Sequence, residues 1–279
     1  MVYDCHVHTT PPEIIKDWKK FGEDEEYFNL LSSSRVNRFA DTKHIIDYMN
    51  TNTIEKSIIF GFAFELEKNI RMVNEYVIES VKKYPDELIG FGIVNPNQRN
   101  LKDEIKFCID NGLLGFGELF PSGQKFDISD YNTMKPLVDF TMEYQLPLLI
   151  HANEPIGHYY PGKTDTSLNQ IYKFAENFPD QIIIYAHFGG GLPFYELMPE
   201  VKNTLKNTYY DTAAAPYLFS NQIYKTLDTM GLSKKIVFGS DYPLPPAIET
   251  KKIISNSELS PENISRILSG NLISILTRE

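Results

Sequence analysis

Four of the six histidines in this 279-residue chain stand at the ends of short β-rich runs. His6 and His8 close the segment DCHVH, His151 follows LPLLI, and His187 follows IIIYA. Two carboxylates are placed the same way, Glu118 in GFGELFP and Asp241 in VFGSDYP. Imidazole and carboxylate together are ligands for divalent cations. Side chains on a strand alternate with period two, so His6 and His8 share a face and form a ready chelate. The same alternation sends Asp4 their way and turns Cys5 and Val7 toward the surrounding helices. Singly, each residue has an ordinary explanation. A strand-end histidine is commonly a packing residue, Asp-Tyr-Pro is a good turn, and Glu118 could sit in an ion pair. Jointly they do not, because polar groups at five separate strand ends are costly to desolvate without a shared partner. A metal ion is the simplest such partner. A sulfur-free set suits Zn, Mn, Fe, Co or Ni, with Zn as the first expectation.

Positioning these residues requires a scaffold that gathers strand ends. Eight β-rich runs occupy residues 2–8, 56–64, 88–95, 113–119, 147–151, 181–187, 208–212 and 235–241. Several are nearly continuous apolar segments, as strands covered on both faces are. Helical patterns lie between them, at 41–51, 66–83, 101–111, 131–144, 167–178, 193–205, 222–230 and 249–255. A last helix, 261–276, carries proline in its first turn, where a missing N–H costs nothing. Eight strands alternating with helices predict an α/β fold, a closed (β/α)8 barrel, as one domain over residues 1–279. All strand C-termini of such a barrel open on one face, so the candidate ligands ring one mouth. The connection 9–40 is long and mixes charge with Trp18, Phe21, Tyr27 and Phe28, which predicts a folded lid inserted after the first strand.

Loop residues extend the candidate site. His158 and Lys163 lie in EPIGHYYPGK after the fifth strand, where barrel enzymes place substrate contacts. Tyr160, Arg35 and Arg38 are further candidates for holding an anionic substrate. His44 reads as a surface residue of the first helix and Cys5 as inert packing. Gly189–Gly191 lacks the Lys-Ser/Thr that follows a phosphate loop and reads as room for backbone beside the metal.

Composition narrows the partners. With 27 basic and 37 acidic residues the net charge is −10, and no basic stripe stands out. Nucleic acid and anionic membrane are therefore not expected partners. A small-molecule substrate is, and a homodimer is the default assembly. Two cysteines are too few for a disulfide framework or a thiolate metal site. No apolar run approaches the roughly 20 residues of a membrane span, and residues 1–10 do not read as a signal peptide. The expected compartment is the cytoplasm.

In order and placement, DCHVH, GFGELFP, IHANEP, AHFGGG, FGSDYP and ILSGN resemble the amidohydrolase superfamily, in its amidohydrolase-related (amidohydrolase 2) branch. The resemblance covers essentially the whole chain. It implies a metal-dependent TIM barrel that hydrolyses amides, esters or lactones, or that decarboxylates aromatic or dienoic acids without a redox cofactor. It implies that His6, His8, His151 and Asp241 hold the metal. In one-metal members the residue matching His187 acts on substrate or water; in two-metal members it is a ligand and a strand-4 carboxylate bridges the ions. Glu118 stands where many two-metal relatives carry a carboxylated lysine, so one or two ions are open. The first expectation is a hydrolase in which metal-bound water attacks, with Asp241 as general base and His187 assisting. The decarboxylase is the second reading, with Arg35 or Arg38 anchoring the substrate. A small-molecule phosphoesterase and a non-catalytic metal-binding barrel are further alternatives.

Overall fold

The computed structural model describes residues 1–244 and 247–278. Eight parallel strands run through it: β1 (Tyr3–His8), β2 (Lys56–Phe60), β3 (Leu88–Gly90), β4 (Phe116–Leu119), β5 (Leu148–Ile150), β6 (Ile183–Tyr185), β7 (Thr208–Asp211) and β8 (Ile236–Val237). They form a three-stranded sheet β1-β2-β3 and a five-stranded sheet β4-β5-β6-β7-β8. Backbone hydrogen bonds join the two at both seams. Leu114 N donates to Gly90 O and Gly92 N to Gly115 O at one seam; Cys5 N donates to Phe238 O and Asp241 N to His6 O at the other. The ring of eight is thereby closed, as the alternation of strands and helices predicts.

Two apolar layers hold the ring. Ile58, Phe60, Phe91, Ile93, Leu149, Ile184 and Val237 belong to the cluster that fills the barrel. Alternate positions on the same strands, Ile59, Leu148, Ile150, Ile183, Tyr185 and Ile236, pack outward with Ile45, Val77, Ile105, Leu137 and Ile171 of the helices. Helix starts follow their caps. Asp41 accepts from His44 N ahead of Thr42–Asn52, Ser167 and Gln170 form a capping box on Leu168–Asn177, and Ser260 precedes Pro261 at a helix start. His44 is exposed and pairs with Asp41, as a surface residue does.

Three expectations need correction. Strand β1 does not keep strict alternation. Its register against β2 runs Asp4↔Ser57 and then Val7↔Ile59, so β1 carries one extra residue, a β-bulge. Cys5 therefore joins the barrel-filling cluster, and Asp4 accepts from Tyr48 OH of the first barrel helix. His6 and His8 still reach the mouth. Second, residues 193–205 are not one helix. Residues 187–191 all have positive φ, a tight turn runs on to Leu197, and only Pro199–Thr204 is α-helical. Third, the last helix is interrupted by a π-turn at Arg266–Gly270.

The 9–40 connection folds into three short helices, Pro12–Lys16, Trp18–Gly22 and Glu26–Ser32. Phe28 packs on Phe39, Phe62 and Phe64. Buried Glu25 accepts from Glu65 N, Leu66 N and Asn69 Nδ2, capping the start of Glu67–Lys83 and tying the connection to the barrel. Among the described residues no helix is long and apolar enough to cross a membrane.

A second bulge lies on β4, where Phe116↔Leu148 is followed by Leu119↔Ile150. Gly117 sits in it at φ 134°, with its α-carbon so close to the Leu149 carbonyl that a methyl group there would collide with it. Gly117→Ala is expected to lower stability by roughly 2–4 kcal/mol, from backbone strain and overpacking together. Denaturant unfolding measures it, and an unchanged midpoint would show that the bulge can relax.

Candidate metal centre

The two bulges aim the ligands. His6 lies inside the irregularity in β1 and Glu118 inside that in β4, a device that re-aims side chains at the rims of barrels. His151 follows β5 directly, and His187 and Asp241 lie in the turns after β6 and β8. Both turn residues have positive φ, 57° and 62°, a conformation that non-glycine residues adopt at an energetic cost. Gly190, also at positive φ, packs so closely on the Asn153 carbonyl that a side chain is excluded. The glycine run gives room for backbone, as its sequence suggests.

All six candidates converge. His6 Nε2 and His8 Nε2 face each other at 3.2 Å. Asp241 Oδ1 is 3.6 Å from the first and 3.4 Å from the second. Glu118 Oε2 is 3.7 Å from both. Neighbouring donors bonded at about 2.1 Å to one ion stand roughly 3.0–3.4 Å apart, from octahedral to tetrahedral edges. The observed spacings are close to that range, so the donor set fits a divalent cation with little adjustment. Beside it, Glu118 Oε1 is 2.9 Å from His151 Nδ1 and 3.4 Å from His187 Nε2, a second group that shares the Glu118 carboxylate. His151 Nε2 donates to Gly162 O at 2.9 Å, and His187 Nδ1 to Ala213 O at 3.0 Å.

The electrostatics are those of a mutually compensating cluster. Burial disfavours a charge on His6, but Asp211, Glu118 and Asp241 outweigh it and hold the imidazole up at about 10. His187 is held up at about 9 against the same burial, chiefly by Glu118 and Asp241. Burial would raise the carboxyl of Asp241, yet His6, His8 and His187 bring it down to about 2. Glu118 lies well below the usual carboxylate range because His6 and His151 overcome its burial.

Sequence reading missed Asp211. This fully buried residue ends β7, in TYYD, and its Oδ2 lies 2.8 Å from His6 Nδ1. Its Oδ1 accepts from the backbone N–H of His187 and of Ala213. A polar residue at a strand end is the signal that singled out the other six, and it was present here too.

Above the cluster opens a cavity of about 630 Å³. His8, Glu118, His151, His187 and Asp241 form its floor; Phe62, Phe120, Leu31, Val36, Ile156 and Tyr217 supply apolar wall, and Arg38 and His158 line it as well. Phe62 stacks on His8 at 5.4 Å between ring centroids, and Phe120 meets His151 edge-on at 4.4 Å. Lys163 is engaged by residues of the cavity wall. Its Nζ pairs with Glu154 at 3.3 Å and donates to Ile156 O, while Tyr160 OH donates to the same Glu154. The cavity meets its neighbours Pro161 and Gly162 instead. Arg38 Nη1 donates to the carbonyls of Arg35 and Asn37, which sets its guanidinium at the lid edge.

The amidohydrolase family model matches residues 3–272. The chain belongs to the amidohydrolase family, in its amidohydrolase 2 branch. Among solved structures it is similar to a 5-carboxyvanillate decarboxylase from Novosphingobium aromaticivorans, complexed with manganese and 4-hydroxy-3-methoxy-5-nitrobenzoic acid: 14% identity, 99% of this chain and 96% of that one, TM-score 0.80. A 4-oxalomesaconate hydratase from Rhodopseudomonas palustris is 20% identical over 100% and 96% of the two chains, with TM-score 0.73. A 2,6-dihydroxybenzoate decarboxylase from Rhizobium is 16% identical over 99% and 98%, with TM-score 0.72. At these identities the likeness establishes the TIM-barrel fold. Comparison with curated proteins finds no match. The family, the barrel and a centre that can hold a divalent cation thus agree with the sequence reading, whereas the hydrolase does not gain: the similar structures named here are decarboxylases and a hydratase.

Proposed function

We propose that the chain is a metal-dependent, non-oxidative decarboxylase of a small aromatic or dienoic acid. One cation would be held by His6, His8 and Asp241 with Glu118. The observation that carries this reading is the cavity: an apolar, aromatic-walled space with the ligand cluster at its floor and the Arg38 cation on its wall. A planar carboxylate fits that distribution of charge and apolar surface. The similarity to the manganese-bound 5-carboxyvanillate decarboxylase supports it, and the ion held there favours manganese over the zinc expected first.

A bound divalent cation would neutralise the substrate carboxylate or a neighbouring oxygen. The protein groups do the rest. Arg38 orients the anion, and Phe62 and Phe120 confine the ring and keep water out. As the carbon–carboxylate bond breaks, its electron pair stays on the ring carbon and CO2 departs. His187 supplies the proton that this carbon takes, because its Nδ1–H is committed to Ala213 O and its Nε2 faces the cluster. Asp241, an ionised carboxylate, is the poorer proton source. It would be the better base, which is why a hydrolase with Asp241 activating water is the second reading.

Product analysis separates the two. Metal-loaded protein incubated with a panel of hydroxybenzoic and dienoic acids is expected to release CO2 from at least one. Release of an acid plus an alcohol or amine from esters, lactones or amides, with no CO2 from any acid, would establish the hydrolase instead. Arg38→Ala is expected to raise KM about 10–100-fold with a smaller change in kcat, since a charged hydrogen bond contributes about 1.5–3 kcal/mol. A KM unchanged in this variant removes Arg38 from substrate binding.

A further inference from the structure

We infer that Asp211 is a positioning residue that sets which nitrogen of His6 faces the cation. The inference rests on the reading of His6 as a metal ligand and goes one layer outward from it. The Asp211 side chain is completely buried, so water does not complete its hydrogen bonding. Its Oδ1 accepts two backbone N–H groups, from His187 at 2.8 Å and from Ala213 at 3.0 Å. Its Oδ2 stands 2.8 Å from His6 Nδ1. An ionised carboxylate is an acceptor at both oxygens. His6 must therefore keep a proton on Nδ1, and its Nε2, which faces His8 Nε2 and Asp241, is the nitrogen whose lone pair meets a cation. The outer partner of a ligating histidine commonly controls tautomer and ring orientation in this way. One carboxylate also ties the end of β7 to both β1 and the turn after β6, so His6 and the His187 backbone are held by the same group.

Asparagine exposes the logic, because it matches aspartate in shape but carries one donor end. The two backbone N–H groups can only donate, so the amide oxygen must take the Oδ1 position. The NH2 group then faces His6 Nδ1, which has to accept, and the His6 proton moves to Nε2, where the cation belongs. Turning the amide over restores Nδ1–H but sets two buried N–H groups against NH2. Either way the cation site is spoiled while the packing is kept. Asp211→Ala does the reverse: it leaves the tautomer unconstrained but removes the acceptor of two backbone donors and opens a cavity.

The test is Mn2+ titration of the full chain, following the free ion by its electron paramagnetic resonance, beside thermal unfolding of the metal-free proteins. The expected order of affinity is wild type, then Asp211→Ala, then Asp211→Asn, with asparagine weakened about 10–100-fold or more. The expected order of unfolding temperature puts alanine lowest. A space-filling role predicts instead that affinity follows unfolding temperature, so asparagine binding Mn2+ as well as wild type, or better than alanine, overturns the inference. If alanine does not fold, the asparagine variant decides alone, through its affinity. Wild-type protein that binds neither Mn2+ nor Zn2+ overturns the metal-ligand reading itself, and this inference with it; wild type that binds beside an unaffected asparagine variant overturns only the inference.

Discussion

Replacing His187 by glutamine is expected to lower the rate of CO2 release by about 10²–10⁴-fold and to leave the bound metal in place. The size follows from the role. Glutamine keeps a polar group beside Glu118 but has no proton to give at neutral pH, so only the transfer to the carbon that CO2 leaves behind is lost. The geometry makes His187 the group for this step: buried at the cavity floor, anchored through Nδ1 to Ala213 O, with Nε2 turned to the cluster 3.4 Å from Glu118. Single-turnover kinetics with elemental analysis of the same preparation reads both quantities. Activity and metal falling together would make His187 a ligand, and the centre a two-ion one in which Glu118 bridges.

Stripping the cation with a chelator is expected to reduce turnover by about 10³-fold or more, and stoichiometric Mn2+ to restore it. A cation supplies several kcal/mol of charge stabilisation, and each 1.36 kcal/mol is tenfold in rate. Here its removal does more than withdraw that help. The carboxylates of Glu118 and Asp241, both below the ordinary carboxylate range, would face an anionic substrate with only the imidazoles of His6, His8, His151 and His187 as their compensation. His8→Ala probes the same term without a chelator. It removes one of the two facing Nε2 atoms, so restoration should need Mn2+ far above stoichiometry. Full activity in chelator-treated protein, with metal content verified as zero, would end the metal-dependent reading.

Local residue pattern was enough to locate the strand ends. Runs such as LPLLI and QIIIYA are too continuously apolar for a half-exposed strand, and each is followed at once by a histidine, so the pattern alone places His151 and His187 at a barrel mouth. The closed barrel, the shared cluster of six residues and the family were legible for the same reason: they depend on local pattern and on the rule that parallel strands open on one face. Where the pattern is broken by one residue, only the folded chain sets the outcome. The bulge in β1 turns Cys5 inward and Asp4 outward, because an inserted residue puts the side chains before it out of phase with those after it, and nothing in DCHVH announces it. Partner choice was likewise beyond the sequence. Lys163 pairs with Glu154 rather than lining the cavity, and Asp211 meets a histidine 205 positions away. Hydrogen bonds between distant segments exist only once closure of the ring has brought their strands side by side.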